Sequence, residues 1–495
     1  MRIALLTAVA LVAAVMLPAS AAKAAPADER LAEVERYLRE HHAEIRAPGF
    51  AYAIVRGDRV VARAAWGVDG DGQPVTGQTP FVLGSVSKSF TALAVMQLVE
   101  AGRVDLDAPV LGYLPWFRLA DESASRRVTV RQLLTHSSGI PGVATRGMTD
   151  RYDNTAGGLT RLVRALATVE PTQPPGRSYQ YSDANYIVAG ALVEAVTGQS
   201  FGAYLRAHVL DPLGMRGAAT AAEADALGGV PAGFRYYFGR PRHFDRPFDT
   251  SGVSYGFLAA SLDDMTHYAI AHLRGGEYGG RRVLSPQGIE RSHAGQVATG
   301  ARGAYGFGWR DSALDGTGAR IVWHAGAVAN SFSHILLVPE EGLAVIVLAN
   351  IYGIAMDGPL TTAAFNTARI LHGGQAVAVA EDPFFVWARR GLLVTVALLA
   401  VVLAWSVLRA VRRPRPRPSS GCHVVAVTAA WVAGCAALTA AAGWALPASW
   451  DGAGLPQALL FAPDIGHTII AVIVLAAATA LARVAAALRI LAGPG

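Results

Sequence analysis

Ser85 and Lys88 stand three residues apart, in the run Ser85-Val86-Ser87-Lys88. On a helix, residues at that spacing share a face, so the amine reaches the hydroxyl. A serine hydroxyl becomes a nucleophile when a neighbouring base takes its proton. Burial lowers a lysine pKa and turns the amine into such a base. The spacing predicts an amphipathic helix over 85–101. Ser85 opens it, where free N–H groups can stabilise a developing oxyanion. Composition sharpens a motif that is weak alone. Of 43 basic residues only two are lysines, Lys23 and Lys88. Arginine does not give up its proton usefully, whereas lysine can. A single lysine kept beyond the N-terminal segment, three residues after a serine, points to chemistry that needs an amine.

Two further groups have side chains suited to proton transfer. Tyr181-Ser182-Asp183-Ala184-Asn185-Tyr186 precedes a predicted helix over 184–197. A phenolate at Tyr181 can act as a base where cations favour it, and Asp183 has the residue type of a helix N-cap. His324-Ala325-Gly326 ends a predicted strand over 320–323. Gly326 lets a backbone approach a ligand closely, while a lone histidine there is commonly structural.

Taken together and in this order, Ser85-x-x-Lys88, Tyr181-x-Asp183 and His324-x-Gly326 resemble the active-site motifs of the penicillin-recognising serine hydrolases. These include the class C β-lactamases and D-aminopeptidases. Leu133-Leu134-Thr135-His136-Ser137-Ser138-Gly139 and Tyr305-Gly306-Phe307-Gly308-Trp309 agree with that resemblance, which covers about residues 30–370. The resemblance implies an α+β fold of the β-lactamase/transpeptidase type: an antiparallel sheet flanked by helices, with a helical insertion. It also implies roles. Ser85 attacks a carbonyl and forms an acyl-enzyme, Lys88 and Tyr181 move protons, and the N–H groups of Ser85 and Ala327 form the oxyanion hole. Asp183, His324 and Gly326 line the substrate. The chain departs from the family in having Asp183 where many members have Asn. It also has His324-Ala325-Gly326 where class C enzymes have Lys-Thr-Gly. Both departures argue against efficient β-lactam hydrolysis.

The elements that must position these residues follow from periodicity. Asp28–Ile45 is helical in spacing, and Phe50–Val55 with Arg59–Val68 flank a Gly57-Asp58 turn as a hairpin. Strands return at 331–338 and 343–350. Terminal strands joining one sheet around a helical insertion fit this order. His41-His42 reads as solvated on a polar helix. No metal-ligand set, P-loop or dinucleotide fingerprint stands out, so no cofactor and no metal is expected.

The 495 residues exceed one compact core. Hydrophobic residues are 52% and charged residues 16%, against about 25% charged in an ordinary soluble domain, which points to a membrane portion. Residues 1–25 read as a signal peptide with Arg2, an apolar stretch and A-x-A sites. Residues 26–375 form the hydrolase domain and 376–390 a linker. Apolar spans 391–408, 424–446 and 465–482 follow as transmembrane helices. The formal net charge of +6 sits at the ends, and residues 25–384 are mildly acidic, so nucleic acid is not an expected partner. Arg409, Arg412, Arg413, Arg415 and Arg417 crowd the loop 409–423, which the positive-inside rule puts in the cytoplasm. The hydrolase domain is then extracytoplasmic. Arg389 and Arg390 lie on the outer side, against that rule. Cys422 and Cys435, on one helix, are too far apart to pair within the chain.

The expected protein is a multi-pass, membrane-anchored serine peptidase or amidase acting on a peptide or acylated small molecule. A homo-oligomer or a transporter is an expected partner. Its architecture also resembles the membrane-bound prodrug-activating peptidases of the colibactin type, which remove an N-acyl-D-asparagine cap. A cell-wall D,D-carboxypeptidase or esterase is the alternative within the family. A penicillin-binding sensor signalling through its spans is the alternative of another class.

Overall fold

The computed structural model describes residues 27–142, 148–220, 229–411, 420–450 and 452–492. The expected signal peptide and Arg412, Arg413, Arg415 and Arg417 lie outside the described residues. After helix α1 (Ala27–Ile45) the chain forms strands β1 (Gly49–Arg56) and β2 (Arg59–Gly67). Helix α2 (Ser87–Glu100) follows, then the helical insertion with α3 (Asp183–Thr197). A small hairpin, β3 (Gly233–Tyr237) and β4 (Arg240–Phe244), precedes helix α4 (Leu262–Leu273). Strands β5 (Val297–Gly300), β6 (Gly303–Tyr305), β7 (Arg310–Ala313), β8 (Arg320–Val328), β9 (Ser331–Val338) and β10 (Leu343–Ala349) complete the main sheet. Its eight strands are antiparallel, in the order β2-β1-β10-β9-β8-β7-β6-β5. Phe50 pairs with Ala349, so the first strand lies beside the last. The fold is α+β, as the sequence order implies.

Both faces of this sheet are covered. α1 and helix α5 (Asp357–Leu371) pack one face through Val34, Leu38, Leu360 and Ala364. α2, α4 and the insertion pack the other through Phe90, Leu93, Leu258 and Met265. Every residue of β9 and β10 is buried, which is why β10 reads as an unbroken apolar run rather than an alternating one, while β9 also buries Ser331, Ser333 and His334.

Four local expectations are corrected. Residues 84–86 form a 3₁₀ turn and the α-helix proper begins at Ser87. That helix is not amphipathic: Ser87 to Met96 are all buried, because it is enclosed between sheet and insertion. β8 runs through His324-Ala325-Gly326 instead of ending there, because β9 pairs with it as far as Val328. His41 is buried, stacked on Tyr37 at 5.5 Å, and His42 stacks on Trp66 at 5.7 Å.

After β11 (Ile351–Tyr352), which pairs with β3, and α5, three helices follow that are long and apolar enough to cross a membrane. They are α6 (Pro383–Val411), α7 (Gly421–Ala440, with helical turns continuing to Ser449) and, after the short α8 (Leu455–Phe461), α9 (Pro463–Leu491). At about 1.5 Å per residue, 29 residues exceed a 30 Å hydrocarbon core. The segment read as a linker is therefore half helix. Asp382 accepts the Phe384 N–H at 2.8 Å and starts α6 early. Arg389 is not an isolated outer charge. It binds Glu381 at 2.7 Å and Asp464 at 3.4 Å, which ties α6 to α9. Arg235 donates to the Leu459 carbonyl at 3.0 Å, which docks the small sheet on α8. Cys422 and Cys435 are both free.

Candidate active site

Ser85 is half-buried in the 3₁₀ turn before α2, between β8 and the insertion. That turn lies directly on β8. Gly84 has φ +52°, and a Cβ there would stand 2.2 Å from the Ala327 nitrogen. A Cβ on Gly326 would stand 2.1 Å from the Leu83 carbonyl and 2.6 Å from the Ser85 nitrogen. Only two glycines facing each other allow this approach. It brings the backbone nitrogens of Ser85 and Ala327 to one side of the serine.

Lys88 is fully buried and all three of its possible donor directions are taken. Its Nζ is 2.9 Å from Ser85 Oγ, 2.8 Å from the Tyr255 carbonyl and 2.7 Å from Asp183 Oδ1. Burial pulls its pKa below the usual lysine range, and the Asp183 carboxylate opposes that pull. The Tyr255 segment is itself fastened to α2, since Thr91 donates to the Ser254 carbonyl at 2.7 Å and Leu258 N–H to Ser87 Oγ at 3.2 Å. The sequence does not point to the Tyr255 carbonyl, because a backbone atom leaves no motif.

Tyr181 donates its hydroxyl to Ser85 Oγ at 2.7 Å. Burial, with the Asp183 charge beside it, pushes its pKa well above the usual range. Tyr181 therefore rests as a neutral phenol, not as the phenolate expected from nearby cations. Asp183 is the first residue of α3 and caps nothing with its side chain; its carboxylate is spent on Lys88.

His324 is buried on the cleft face of β8. Its Nδ1 faces the Ala325 carbonyl at 2.6 Å, which can only accept, so Nδ1 carries the proton. Nε2 then accepts from Tyr305 OH at 3.0 Å. Burial, with Arg310 and Lys88 nearby, drives its pKa well below the usual range. The position thus carries no charge where a Lys-Thr-Gly sequence would carry one.

His136 of the family motif, and Arg310, which sequence reasoning missed, complete the site. His136, at φ 55°, accepts from Ser182 N–H at 3.2 Å and Asn185 at 3.1 Å, and its ring lies 4.3 Å from that of Tyr181. It splints the segment that carries Tyr181. Its signal in the sequence is the Leu133–Gly139 motif. Arg310 ends the pairing of β7 with β8, at the Arg310–Trp323 pair. Beyond it the β8 edge from His324 to Val328 has no strand partner on that side among the described residues. Arg310 donates to Tyr179 OH at 3.3 Å, and among the described residues it makes no ion pair. Among the described residues no group of three or more His, Cys, Asp or Glu could hold a metal.

A family model for β-lactamases matches residues 34–368, the whole of this sheet and its insertion and most of its flanking helices. The chain belongs to the β-lactamase family. Its membership makes it a β-lactamase-fold serine hydrolase, related to penicillin-binding proteins. Penicillin-binding protein 4 of Amycolatopsis lactamdurans is 35% identical over 321 residues, 63% of this chain and 82% of that one. Protein flp of Staphylococcus aureus (strain MW2) is 26% identical over 333 residues, 64% of this chain and 62% of that one. Among solved structures, the octameric penicillin-binding protein homologue from Pyrococcus abyssi aligns with TM-score 0.59 and 27% identity, over 73% of this chain and 81% of that one. A D-stereospecific amidohydrolase from Streptomyces sp. shares the fold, with TM-score 0.53 and 24% identity, over 65% of this chain and 94% of that one.

Proposed function

We propose that this β-lactamase-family chain is a membrane-anchored peptidase or amidase, with its domain outside the cytoplasm, that forms an acyl-enzyme on Ser85. The observation that carries this reading is one oxygen held by two proton-moving groups, Lys88 Nζ at 2.9 Å and Tyr181 OH at 2.7 Å. With Lys88 neutral, Ser85 Oγ attacks the substrate carbonyl carbon as its proton passes to Nζ. The carbonyl oxygen takes the negative charge and is held by the Ser85 and Ala327 N–H groups. As the scissile bond breaks, Tyr181 gives its proton to the leaving group and recovers one from Lys88. Water then repeats the sequence in reverse roles, releasing the acid and Ser85.

The open edge of β8 supports a peptide-like substrate, since an extended chain can add to it as a strand. The amidohydrolase that shares the fold is D-stereospecific by its name, which makes amide bonds beside D-residues the first substrates to test. Arg310 favours a second form, a D,D-carboxypeptidase, because its guanidinium at the end of that edge suits a substrate carboxylate. Prodrug maturation by removal of an N-acyl-D-asparagine cap is the narrow form, and its support is the anchored architecture. The arginine-rich loop supports the outward orientation.

The test is product release, by mass spectrometry, from an N-acyl-D-asparaginyl amide, an acyl-D-alanyl-D-alanine, a p-nitrophenyl ester and a β-lactam. Wild type and Ser85→Ala are compared in membranes. Cleavage of a D-peptide or D-amide by wild type only is expected. Equal turnover by Ser85→Ala overturns the mechanism.

A further inference from the structure

The β3–β4 hairpin reaches from the active-site cleft to the membrane helices. At its base the Phe244 carbonyl accepts from Asn330 at 3.3 Å, just past the β8 strand that carries Ala327. At its tip Tyr237 packs edge-on against His467 at 5.8 Å, four residues into α9. Trp387 lies four residues into α6, and Trp444 five residues before Ser449 where the second span ends. Both tryptophans are strongly exposed, at 66% and 75%. An aromatic ring at the start of an apolar helix, as at Trp387, marks a membrane–water interface, and His467 lies equally far from the start of α9, while Trp444 lies deeper, where Gly443 faces Ile473. The hairpin tip stands at this level.

The tip has the composition of an interfacial element. Phe238 is 41% exposed and held at φ 50°, at the turn. Arg240 and Arg242 are exposed on β4, and Arg46, also exposed, donates to the Gly239 carbonyl at 3.2 Å. An exposed aromatic ring ringed by arginines suits the boundary of acyl chains and lipid phosphates.

We infer that the hairpin tip is a second membrane contact, with Phe238 at the acyl boundary of the leaflet facing the domain and Arg46, Arg240 and Arg242 on lipid phosphates. This rests on reading α6, α7 and α9 as membrane spans. A strand of five residues covers about 17 Å, so the contact holds the cleft at a set height above the lipid surface. A substrate tethered by an acyl chain would meet Ser85 at that height.

The experiment uses the full chain with Cys422→Ser and Cys435→Ser in phosphatidylcholine–phosphatidylglycerol vesicles. An environment-sensitive fluorophore is placed on Phe238→Cys, on Val394→Cys in α6, or on Ser123→Cys, which is exposed on the insertion. Lipids carrying a spin label near the top of the acyl chain act as quencher. Loss of most fluorescence at 238 and 394, with none at 123, is the expected result. Loss at 394 but not at 238 overturns the hairpin contact and leaves the spans intact. No loss at 394 overturns the spans and the contact with them. Adding Arg240→Glu and Arg242→Glu should weaken quenching at 238 in these vesicles. Quenching that survives both charge reversals overturns the phosphate contacts.

Discussion

Lys88 Nζ and Asp183 Oδ1 lie 2.7 Å apart at the floor of the cleft, the lysine wholly buried and the carboxylate partly open. Burial lowers the lysine pKa and Asp183 raises it again. Replacing Asp183 by Asn leaves burial unopposed, so the neutral amine persists to lower pH. The acid limb of kcat/KM should then move down by about one unit or more, the usual effect of losing an opposite charge at this range. A pH–rate profile of Asp183→Asn checks this. An unmoved limb would show that Lys88 is not the titrating base.

Arg310 predicts a split between substrates. Arg310→Gln should raise KM about tenfold for peptides ending in a carboxylate, the loss of one charge-assisted contact. The same peptides capped as amides should keep their KM. Steady-state kinetics on matched acid and amide pairs measure the difference, and an equal change in both removes the carboxylate role.

Gly84→Ala tests the close approach of the serine turn to β8. The added Cβ would meet the Ala327 nitrogen at 2.2 Å, at a φ of +52° that side chains avoid. We expect a stability loss of about 1–3 kcal/mol. A fall in kcat of about a hundredfold is also expected, since the two N–H donors are pushed apart. Thermal melting and single-turnover acylation read the two effects separately.

His334 predicts the acid side of the stability curve. Burial pushes its pKa down to about 3, below the value near 6.5 of an unfolded histidine. As pH falls, the unfolded chain takes the proton first. The stabilising contribution is therefore complete above about pH 6.5 and declines as pH falls toward 3, by about 1.4 kcal/mol per unit. His334→Gln should flatten the pH dependence of the denaturation midpoint by an amount that grows toward one proton as pH falls from about 7 to 5. An unchanged slope would mean that His334 accepts its proton while folded.

The sequence carried the parts of the site that depend on local spacing. Ser85 and Lys88 share a helical face, so their meeting is written in three residues. Tyr181 and His324 were found by order within a family pattern, not by geometry. Arg310 escaped because its place depends on where β7 stops pairing, which is a matter of sheet register. Asp183 escaped as an ion-pair partner because a helix start and a lysine 95 positions away compete for the same carboxylate. The enclosure of α2 was illegible for a similar reason. Its Ser, Lys and Thr side chains suggest a wet face, yet Ser87, Lys88 and Thr91 each find a backbone partner in the 254–258 segment packed against it.

The facing glycines Gly84 and Gly326 belong to opposite halves of the chain, 242 positions apart. A fragment that stops before β8 still carries Ser85, Lys88 and Tyr181, but it lacks the wall on which the serine turn rests. Such a fragment has the motif without the pocket. On the proposed mechanism a nascent chain is expected to be inactive until synthesis has passed Val328, the end of β8.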